Sequence, residues 1–479
     1  MVLRRTTLIT GGCLAALAGI GLSRKLSVYP NLLWLIFIPL LMLFCRKNIA
    51  SLITVIIVGL GLGLWRGGMQ MQKLHQLQTY TAREVTIQAT ATNDSVYGER
   101  SQIEFTANDV TLLNPATKPL AGSFKISGFG ENMIYRGDRV QVSGKLFPTR
   151  GANQARIAYA QLNRVGSSNS SINSFTRRFT AGMESALPEP NASFGLGLLI
   201  GQRNNLSSDL TNQLIMVGLV HIVAVSGYNL TIIVRVIGRL KLGSKYQRLI
   251  ASLVLMITFT LVTGFSASIV RAVIVSGLSL WAWYYGRQIR PILLIAFVAA
   301  LTGFINPFYV WGDLGWYLSF LAFFGVLIIA PIIASKLFRR EPKMLSMVVL
   351  ETLSAEIMTL PLIMLSFGQL SLIGLLANGL VVPFIPLAML LSAVAAGAGV
   401  FIPSVAGWLA WPANILLTYI LDVVKVLSEV PGIFVHRSIN LFSMLSLYAS
   451  ILLIVIIAYR HRTPKTAIIT DVNQVQEAL

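Results

Sequence analysis

The chain has 479 residues, of which 55% are hydrophobic and 12% are charged, and its mean hydropathy is +0.71. So little charge cannot cover the surface of an ordinary water-soluble protein of this length. The composition therefore excludes a water-soluble globular protein. The formal net charge of +20 is the excess that basic loops give to many membrane proteins, so charge alone indicates no nucleic-acid partner.

Three apolar runs, at 6–22, 31–45 and 49–65, predict that residues 1–66 form three N-terminal transmembrane helices. The basic residues that flank them slightly favour a cytoplasmic N-terminus. The first run is expected to stay uncleaved, because no A-x-A-like site precedes Ser23. Cys13 and Cys45 both lie in apolar runs, which predicts buried thiols rather than a disulfide framework.

The apolar runs stop at 67–166, which predicts a water-exposed domain inserted into a polytopic α-helical membrane protein. Five strand-length segments separated by turn signals lie at 85–93, 103–113, 122–129, 138–147 and 156–165, which is typical of a small all-β, OB-like barrel. Aromatic and basic side chains there could stack on bases or hold phosphates, but the domain's small net charge does not require DNA binding. These candidates are Tyr97, Lys125, Tyr135, Arg139, Lys145 and Arg150.

Residues 167–216 are predicted to contain a Ser/Asn-rich hinge, an amphipathic surface helix at 175–187 and a polar loop. Nine further spans are predicted in 217–460, followed by a short cytoplasmic tail at 461–479, so about 12 transmembrane helices are expected in all. The nine spans are 217–238, 249–265, 268–285, 291–306, 314–334, 345–366, 371–400, 404–425 and 440–460.

Basic residues are unevenly distributed over the loops between these nine spans. If the first span begins outside, the outer loops carry Lys425 and Arg437, and most of the other loop lysines and arginines are cytoplasmic. Positive charge collects on the cytoplasmic side of membrane proteins. The pattern therefore predicts a multi-pass protein of the cell membrane with both chain ends inside and the β-domain outside.

Segment 195–234 is unusual because polar side chains lie in and just before an apolar span. Such groups usually face the interior of a helix bundle or a water-filled path, but hydrogen bonds between helices explain them equally well. The polar residues before and within the span are Arg203, Asn204, Asn205, Asp209, His221, Ser226 and Asn229.

Four segments together resemble the ComEC-type competence protein family. Residues 217–227 match a T/V-G-L-x-H-h-h-A-h-S-G motif, and 263–278 match an S-h-h-R-A helix with Arg271 in its place. Residues 313–320 resemble a D-x-G-[FW]-x-L-S-F element. Residues 359–391 resemble the family's Leu-Pro, Phe-Gly, Ala-Asn and Val-Pro-x-x-Pro pattern, which includes Asn378, Pro383 and Pro386. One departure is Asn229, where the family motif more often has a second histidine.

The resemblance implies a membrane channel that imports single-stranded DNA in natural transformation, and not an enzyme. The implied partners are the lipid bilayer, an extracellular DNA receptor, a cytoplasmic helicase-like motor and a separate nuclease. The four histidines form no H-x-H-x-D-H cluster, so no metal, cofactor or zinc nuclease is expected in this chain. The expected DNA path consists of the polar residues named above together with Arg271, Glu356 and Asn378.

Two other readings stay open. An intramembrane serine protease is disfavoured, because His221 and Ser226 on one helix would point about 140° apart. A secondary transporter of a small solute could use Glu356 as its ion-coupling carboxylate, unless that carboxylate pairs with Arg271. Pro383 and Pro386 predict that the 371–400 span is a broken helix, with Asn378 facing protein or water rather than lipid.

Overall fold

The computed structural model describes most of the chain. The chain divides into two compact units. The first comprises Met1–Asn173 with Ile292–Tyr317, and the second comprises Ser174–Pro291 with Leu318–Leu479. The described residues are 4–26, 48–97, 102–115, 117–120, 122–131, 133–148, 153–167, 171–201, 206–223, 244–263, 267–287, 289–338, 344–432 and 434–460.

Several predicted features lie outside these described residues. They include the 31–45 span, most of the 217–238 span and the 461–479 tail. The candidate site residues outside the description are Arg150, Arg203, Asn204, Asn205, Ser226 and Asn229.

The helices among the described residues are, in chain order, α1 to α17. Their bounds are α1 Arg5–Ser23, α2 Ile49–Gln78, α3 Ser171–Ala186, α4 Asn191–Ile200, α5 Ser208–Met216, α6 Val220–Val223, α7 Lys245–Thr263, α8 Ala267–Tyr284, α9 Pro291–Ile305, α10 Pro307–Gly312, α11 Leu314–Phe324, α12 Ala330–Leu337, α13 Met344–Phe367, α14 Gly374–Val381, α15 Ile385–Phe401, α16 Ala406–Ser428 and α17 Leu441–Arg460. A π-helical turn, Gly325–Ile329, joins α11 to α12, and a 3-10 turn, Pro403–Val405, precedes α16.

Eight helical segments among the described residues are long and apolar enough to cross a membrane, which confirms a multi-pass membrane protein. They coincide with eight of the predicted spans. Two more predicted spans, 268–285 and 291–306, are apolar helices shorter than this length criterion. The 31–45 span and most of the 217–238 span lie outside the described residues, so the total of about 12 transmembrane helices stays a prediction.

Helices α1 and α2 pack closely because glycines lie where they cross. A Cβ atom on Gly19 would overlap the backbone of α2, and one on Gly59 or Gly63 would overlap the backbone of α1. Small residues let helix backbones approach each other in lipid, where van der Waals packing rather than water exclusion holds helices together. Helix α2 also continues 13 residues beyond its predicted end at Trp65.

The inserted domain is a small β-barrel. Its strands are β1 Glu84–Ala91, β2 Val96–Tyr97, β3 Ile103–Asn114, β4 Lys118–Leu120, β5 Phe124–Phe129, β6 Arg139–Pro148 and β7 Ala155–Gly166. The five long strands match the five predicted segments to within about two residues. They close into a ring in the order β1-β3-β5-β7-β6-β1, in which only β5 and β7 run parallel.

The core of the barrel follows directly from the two-residue period of its strands. In β1 and β6 every second residue is buried, and the buried set includes Ile87, Val140 and Val142. Phe105 and Phe124 are almost fully buried in the same core. The polar residues between them face outwards, as in any strand with one wet face.

The core of the second unit is formed mainly by α3 to α6 and α14 to α16. Helix α4 lies within this core, with nine of its ten residues buried. A hinge, an amphipathic surface helix and a polar loop were expected over 167–216, so the buried helix α4 differs from this prediction. Its apolar sequence, NASFGLGLLI, is short for a span, but packing against neighbouring helices buries it all the same.

The predicted amphipathic helix is present as α3, but one side of it packs against α15. Met183 is fully buried, and Gly182 lies against the backbone of Ala396. On the other helix, a Cβ atom on Gly399 would overlap the carbonyl of Gly182. The two backbones therefore meet at a pair of glycines.

At the predicted break in the 371–400 segment the α-helix is interrupted, although the segment stays helical throughout. Between α14 and α15 the chain forms a 3-10 turn, Val382–Phe384, that contains Pro383. Proline has no amide hydrogen and clashes with the preceding turn, so a regular α-helix cannot continue through this position. The Tyr419 hydroxyl donates to the carbonyl of Leu380 at 3.4 Å, which supplies a partner beside the break.

Candidate functional site

A carboxylate and an amide meet inside the second unit. The Asn378 side-chain nitrogen on α14 donates a hydrogen bond to Oε1 of Glu356 on α13. Asn378 is only 1% exposed, and its Oδ1 atom has no hydrogen-bond partner among the residues that the structure describes. Asn378 therefore faces protein and not lipid, as the sequence analysis predicted.

More oxygen atoms approach the same place around Gly374, the first residue of α14. The point where a Cβ atom on Gly374 would lie is 3.8 Å from Glu356 Oε1, 3.7 Å from Ser371 Oγ and 3.7 Å from the Val217 carbonyl oxygen. The Ser371 hydroxyl is buried and, within the described part of the chain, has no hydrogen-bond partner. We call Glu356, Asn378, Ser371 and the Val217 carbonyl the oxygen cluster.

The turn after α5 positions the Val217 carbonyl. Gly218 has a φ of +79°, and its N–H donates to Ile215 while the N–H of Leu219 donates to Leu214, a Schellman motif. Neither bond uses the carbonyl of Val217. A Cβ atom on Gly218 would lie 3.4 Å from Gly374 Cα, and the positive φ of Gly218 favours glycine at this turn.

His221 and Asp209 have local roles that the structure makes visible. His221 Nδ1 lies 3.0 Å from the Gly218 carbonyl oxygen, within the turn that holds the oxygen cluster. Asp209 is exposed in the first turn of α5, where a carboxylate stabilises the helix dipole. Ser207 caps that helix by accepting from the N–H of Leu210 at 3.2 Å.

Arg271 is buried in α8, with 2% of its surface exposed. Its guanidinium carbon lies 5.9 Å from the ring centroid of Phe320 on α11, a cation–π distance. Glu356 accepts a hydrogen bond from Asn378, and among the ion pairs of the described residues there is none between Glu356 and Arg271. Five of the ten predicted path residues are described, and the structure brings Glu356, Asn378 and the turn of His221 together.

A polar stripe that was not predicted from the sequence lies on α16. Asn191 on α4 donates to Asn414 Oδ1 at 2.6 Å and to Thr418 Oγ1 at 2.8 Å. A groove of about 640 Å³ is lined by Asn414, Thr418 and Asp422, together with Tyr419 and Leu380. The i, i+4, i+8 spacing of these three residues in an apolar helix was the signal that could have found them.

The barrel candidates lie in different surroundings. Arg139 and Lys145 are exposed, Tyr135 is half-buried, and only the backbone of Tyr97 is described. Lys125 forms a 2.7 Å ion pair with Glu104, so part of its charge is already compensated. An exposed pair of this kind contributes little stability, and it can reopen for another anion.

Tyr159 on β7 is a further barrel candidate that the sequence did not reveal. It lies at a β-bulge, has a φ of +54° and is 66% exposed. Phe129 on the neighbouring strand is 44% exposed. A strained, exposed aromatic residue at a bulge is a feature often found next to binding sites.

Comparisons with known proteins identify a family and a relative that this chain resembles. The sequence model of the family described as "Competence protein" matches residues 198–463. The chain is also 26% identical over 214 residues to "ComE operon protein 3" of Bacillus subtilis (strain 168), an alignment that covers 44% of this chain and 27% of that protein. No solved structure matches. The family match covers more than half of the chain and includes α13 to α16, which carry the Glu356–Asn378 pair and the broken helix, so this protein belongs to the Competence protein family.

Proposed function

We propose that this protein is a membrane channel that imports single-stranded DNA in natural transformation, and that it is not itself an enzyme. The family, and the relative that carries the name of the ComE operon, support a role in competence. The observation that best supports a conduit is a set of polar groups in apolar helices, of which Arg271 and Asn378 are buried and Glu356 is half-buried. Polar groups are costly in lipid and usually mark a substrate path.

Among these groups, Arg271 is the one whose chemistry best suits a polyanion. Arg271 is always charged, and its planar guanidinium can hold phosphate oxygens in a bidentate manner. The break between α14 and α15 places irregular backbone inside an apolar region, which is tolerated where it contacts protein or lines a cavity. The chain has no G-x-x-x-x-G-K-[ST] run, so a separate motor or an ion gradient would supply the energy.

The barrel fits an accessory role in this proposal. Its closed ring, with a single parallel pair, has the strand pairing of a five-stranded Greek-key barrel and supports an OB-like assignment. We place it outside the cell membrane and both chain ends in the cytoplasm, on the basis of the loop charges. There the barrel would receive DNA from an extracellular receptor, and a helicase-like motor and a separate nuclease would complete the system.

The uptake of labelled DNA tests the proposal and separates it from a solute transporter. Cells that lack the gene are expected to lose internalised, nuclease-resistant label, and the restored gene should return it. Surface-bound label should persist, because binding to a receptor precedes passage. If the deleted strain internalises DNA normally but loses uptake of a small solute, the secondary transporter with Glu356 as its ion-coupling residue is the better reading.

Replacing Tyr159 with serine is expected to weaken binding of single-stranded oligonucleotides by the purified full chain about tenfold. Stacking of a base on an aromatic ring contributes about 1–3 kcal/mol, and the bulge presents this ring to solvent. Fluorescence anisotropy with labelled oligo-dT measures the affinity. Tyr246→Ser is the matched control, because Tyr246 is 58% exposed on α7, and it should bind like the wild type. Equal affinities for all three proteins would remove Tyr159 from the DNA surface.

A further inference from the structure

We propose that the oxygen cluster is a binding site for a sodium ion. Three oxygen atoms from separate segments of the chain converge beside Gly374, those of the Glu356 carboxylate, the Ser371 hydroxyl and the Val217 carbonyl, and the Asn378 amide donates to the same Glu356 oxygen. Oxygen ligands of these types are what hard cations such as Na⁺ prefer. The proposal concerns ion binding and does not depend on which substrate the protein carries.

The first argument is the surplus of acceptors over donors. Asn378 donates to Glu356, but Asn378 Oδ1 and Ser371 Oγ have no hydrogen-bond partner within the described residues. A buried polar atom without a partner costs about 1–3 kcal/mol. A bound cation would satisfy the amide oxygen, the hydroxyl oxygen and the carboxylate simultaneously, whereas a proton on Glu356 would serve only one acceptor.

The second argument is electrostatic. Glu356 lies in an apolar helix, where an uncompensated carboxylate is expensive. Val217 is the C-cap residue of α5, and the C-terminal end of a helix carries a partial negative charge that attracts cations. The first turn of α14 opposes this attraction, because the N-terminal end of a helix carries a partial positive charge.

The third argument concerns charge and size. The cluster contains one carboxylate, so a monovalent ion leaves the site neutral, whereas a divalent ion would leave a net positive charge among apolar helices. The chain segments at Gly218 and Gly374 are packed so closely that a Cβ atom on Gly218 would lie 3.3 Å from Ser371 Cβ. This packing favours a small ion over a large one. Asn378 lies shortly before the 3-10 turn Val382–Phe384, and ion sites in membrane transporters are often built beside such helix interruptions.

Thermal unfolding of the purified full chain in detergent tests the site. Sodium chloride is expected to raise the unfolding midpoint by about 2–4 °C relative to choline chloride at equal ionic strength, in a saturable manner. Glu356→Gln should abolish this sodium-dependent shift, and Ser371→Ala should raise the sodium concentration required about tenfold. Glu351→Gln, on the same helix but outside the cluster, should keep the wild-type response.

Binding of radioactive ²²Na⁺ provides the direct measurement. We expect one ion per chain in the wild type and in Glu351→Gln, and none in Glu356→Gln. If Glu356→Gln does not fold, weakened binding in Ser371→Ala decides the question. Equal stabilisation by choline, or undiminished ²²Na⁺ binding in both cluster variants, would overturn the site. A response to pH alone that Glu356→Gln removes would identify a proton instead and would also overturn it. DNA uptake is measured separately, so either proposal can fail alone.

Discussion

Replacing Gly399 with leucine is expected to prevent stable packing of the helical unit, while the same change at Gly397 is tolerated. A Cβ atom on Gly399 would overlap the carbonyl of Gly182, and backbone atoms cannot rotate away as a flexible side chain can. Overpacking by a methylene costs about 1–3 kcal/mol, and a whole leucine side chain at a backbone contact costs more. The α3–α15 crossing must therefore separate.

Gly397 provides an unusually close control for this prediction. It lies two residues away on the same helix, and no heavy atom lies within 4 Å of its ideal Cβ position. Leucine there should be neutral or slightly stabilising, because glycine is a poor helix former by about 1 kcal/mol. Both variants add the same side chain to the same helix, so a difference between them reports the crossing and not hydrophobicity.

Unfolding midpoints and the fraction of monodisperse protein after size-exclusion chromatography measure the two variants. Gly399→Leu should give little folded protein, and Gly182→Leu should share its defect because its Cβ atom would lie 2.7 Å from the Ala396 carbonyl oxygen. Similar midpoints for Gly399→Leu and Gly397→Leu would contradict the close crossing.

Replacing Arg271 with alanine is expected to reduce DNA uptake by at least about a hundredfold. The side chain is 2% exposed within an apolar helix, and its guanidinium lies near Phe320, so its charge is held at one place. If this place borders the DNA path, the variant loses a fixed positive charge for phosphates. A hundredfold change corresponds to about 2.7 kcal/mol, a reasonable value for a desolvated charge-assisted contact.

Two further variants separate transport from folding. Arg271→Lys keeps the charge but not the planar donor fork, so it should retain partial uptake. Arg287→Ala removes an exposed arginine just beyond the end of α8 and should leave uptake within about twofold of the wild type. Uptake must be divided by the amount of folded protein in the membrane. Arg271 would be excluded from the path if Arg271→Ala shows normal uptake. It would also be excluded if the loss of uptake disappears once uptake is expressed per amount of folded protein.

The broken helix shows what local chemistry alone predicts well. Pro383 interrupts the helix whatever surrounds it, because the missing amide hydrogen is a property of the residue itself. The five long strands were also predictable, since alternating residues such as Val140 and Val142 must share one face of a strand. Apolar length likewise predicted eight spans that the structure contains.

The buried helix α4 shows where this local reasoning was insufficient. Its ten residues are too few for a span, and the polar stretch that follows it suggested a loop. Burial depends on the neighbours that cover a segment, and those neighbours come from distant parts of the chain. Asn191 makes the point directly, because its partners Asn414 and Thr418 are more than two hundred residues away.

The sequence by itself determined the membrane setting, the inserted barrel, the broken helix and the family, because hydropathy, strand period, proline and motif are properties of contiguous residues. Only the tertiary structure decided which polar groups meet. Glu356 bonds Asn378 rather than Arg271, and the Val217 carbonyl approaches the same place because the turn at Gly218 packs against Gly374. The exposure of Tyr159 also depends on a bulge between three strands. Such contacts arise from packing between segments far apart in the chain, and no local pattern encodes their distances.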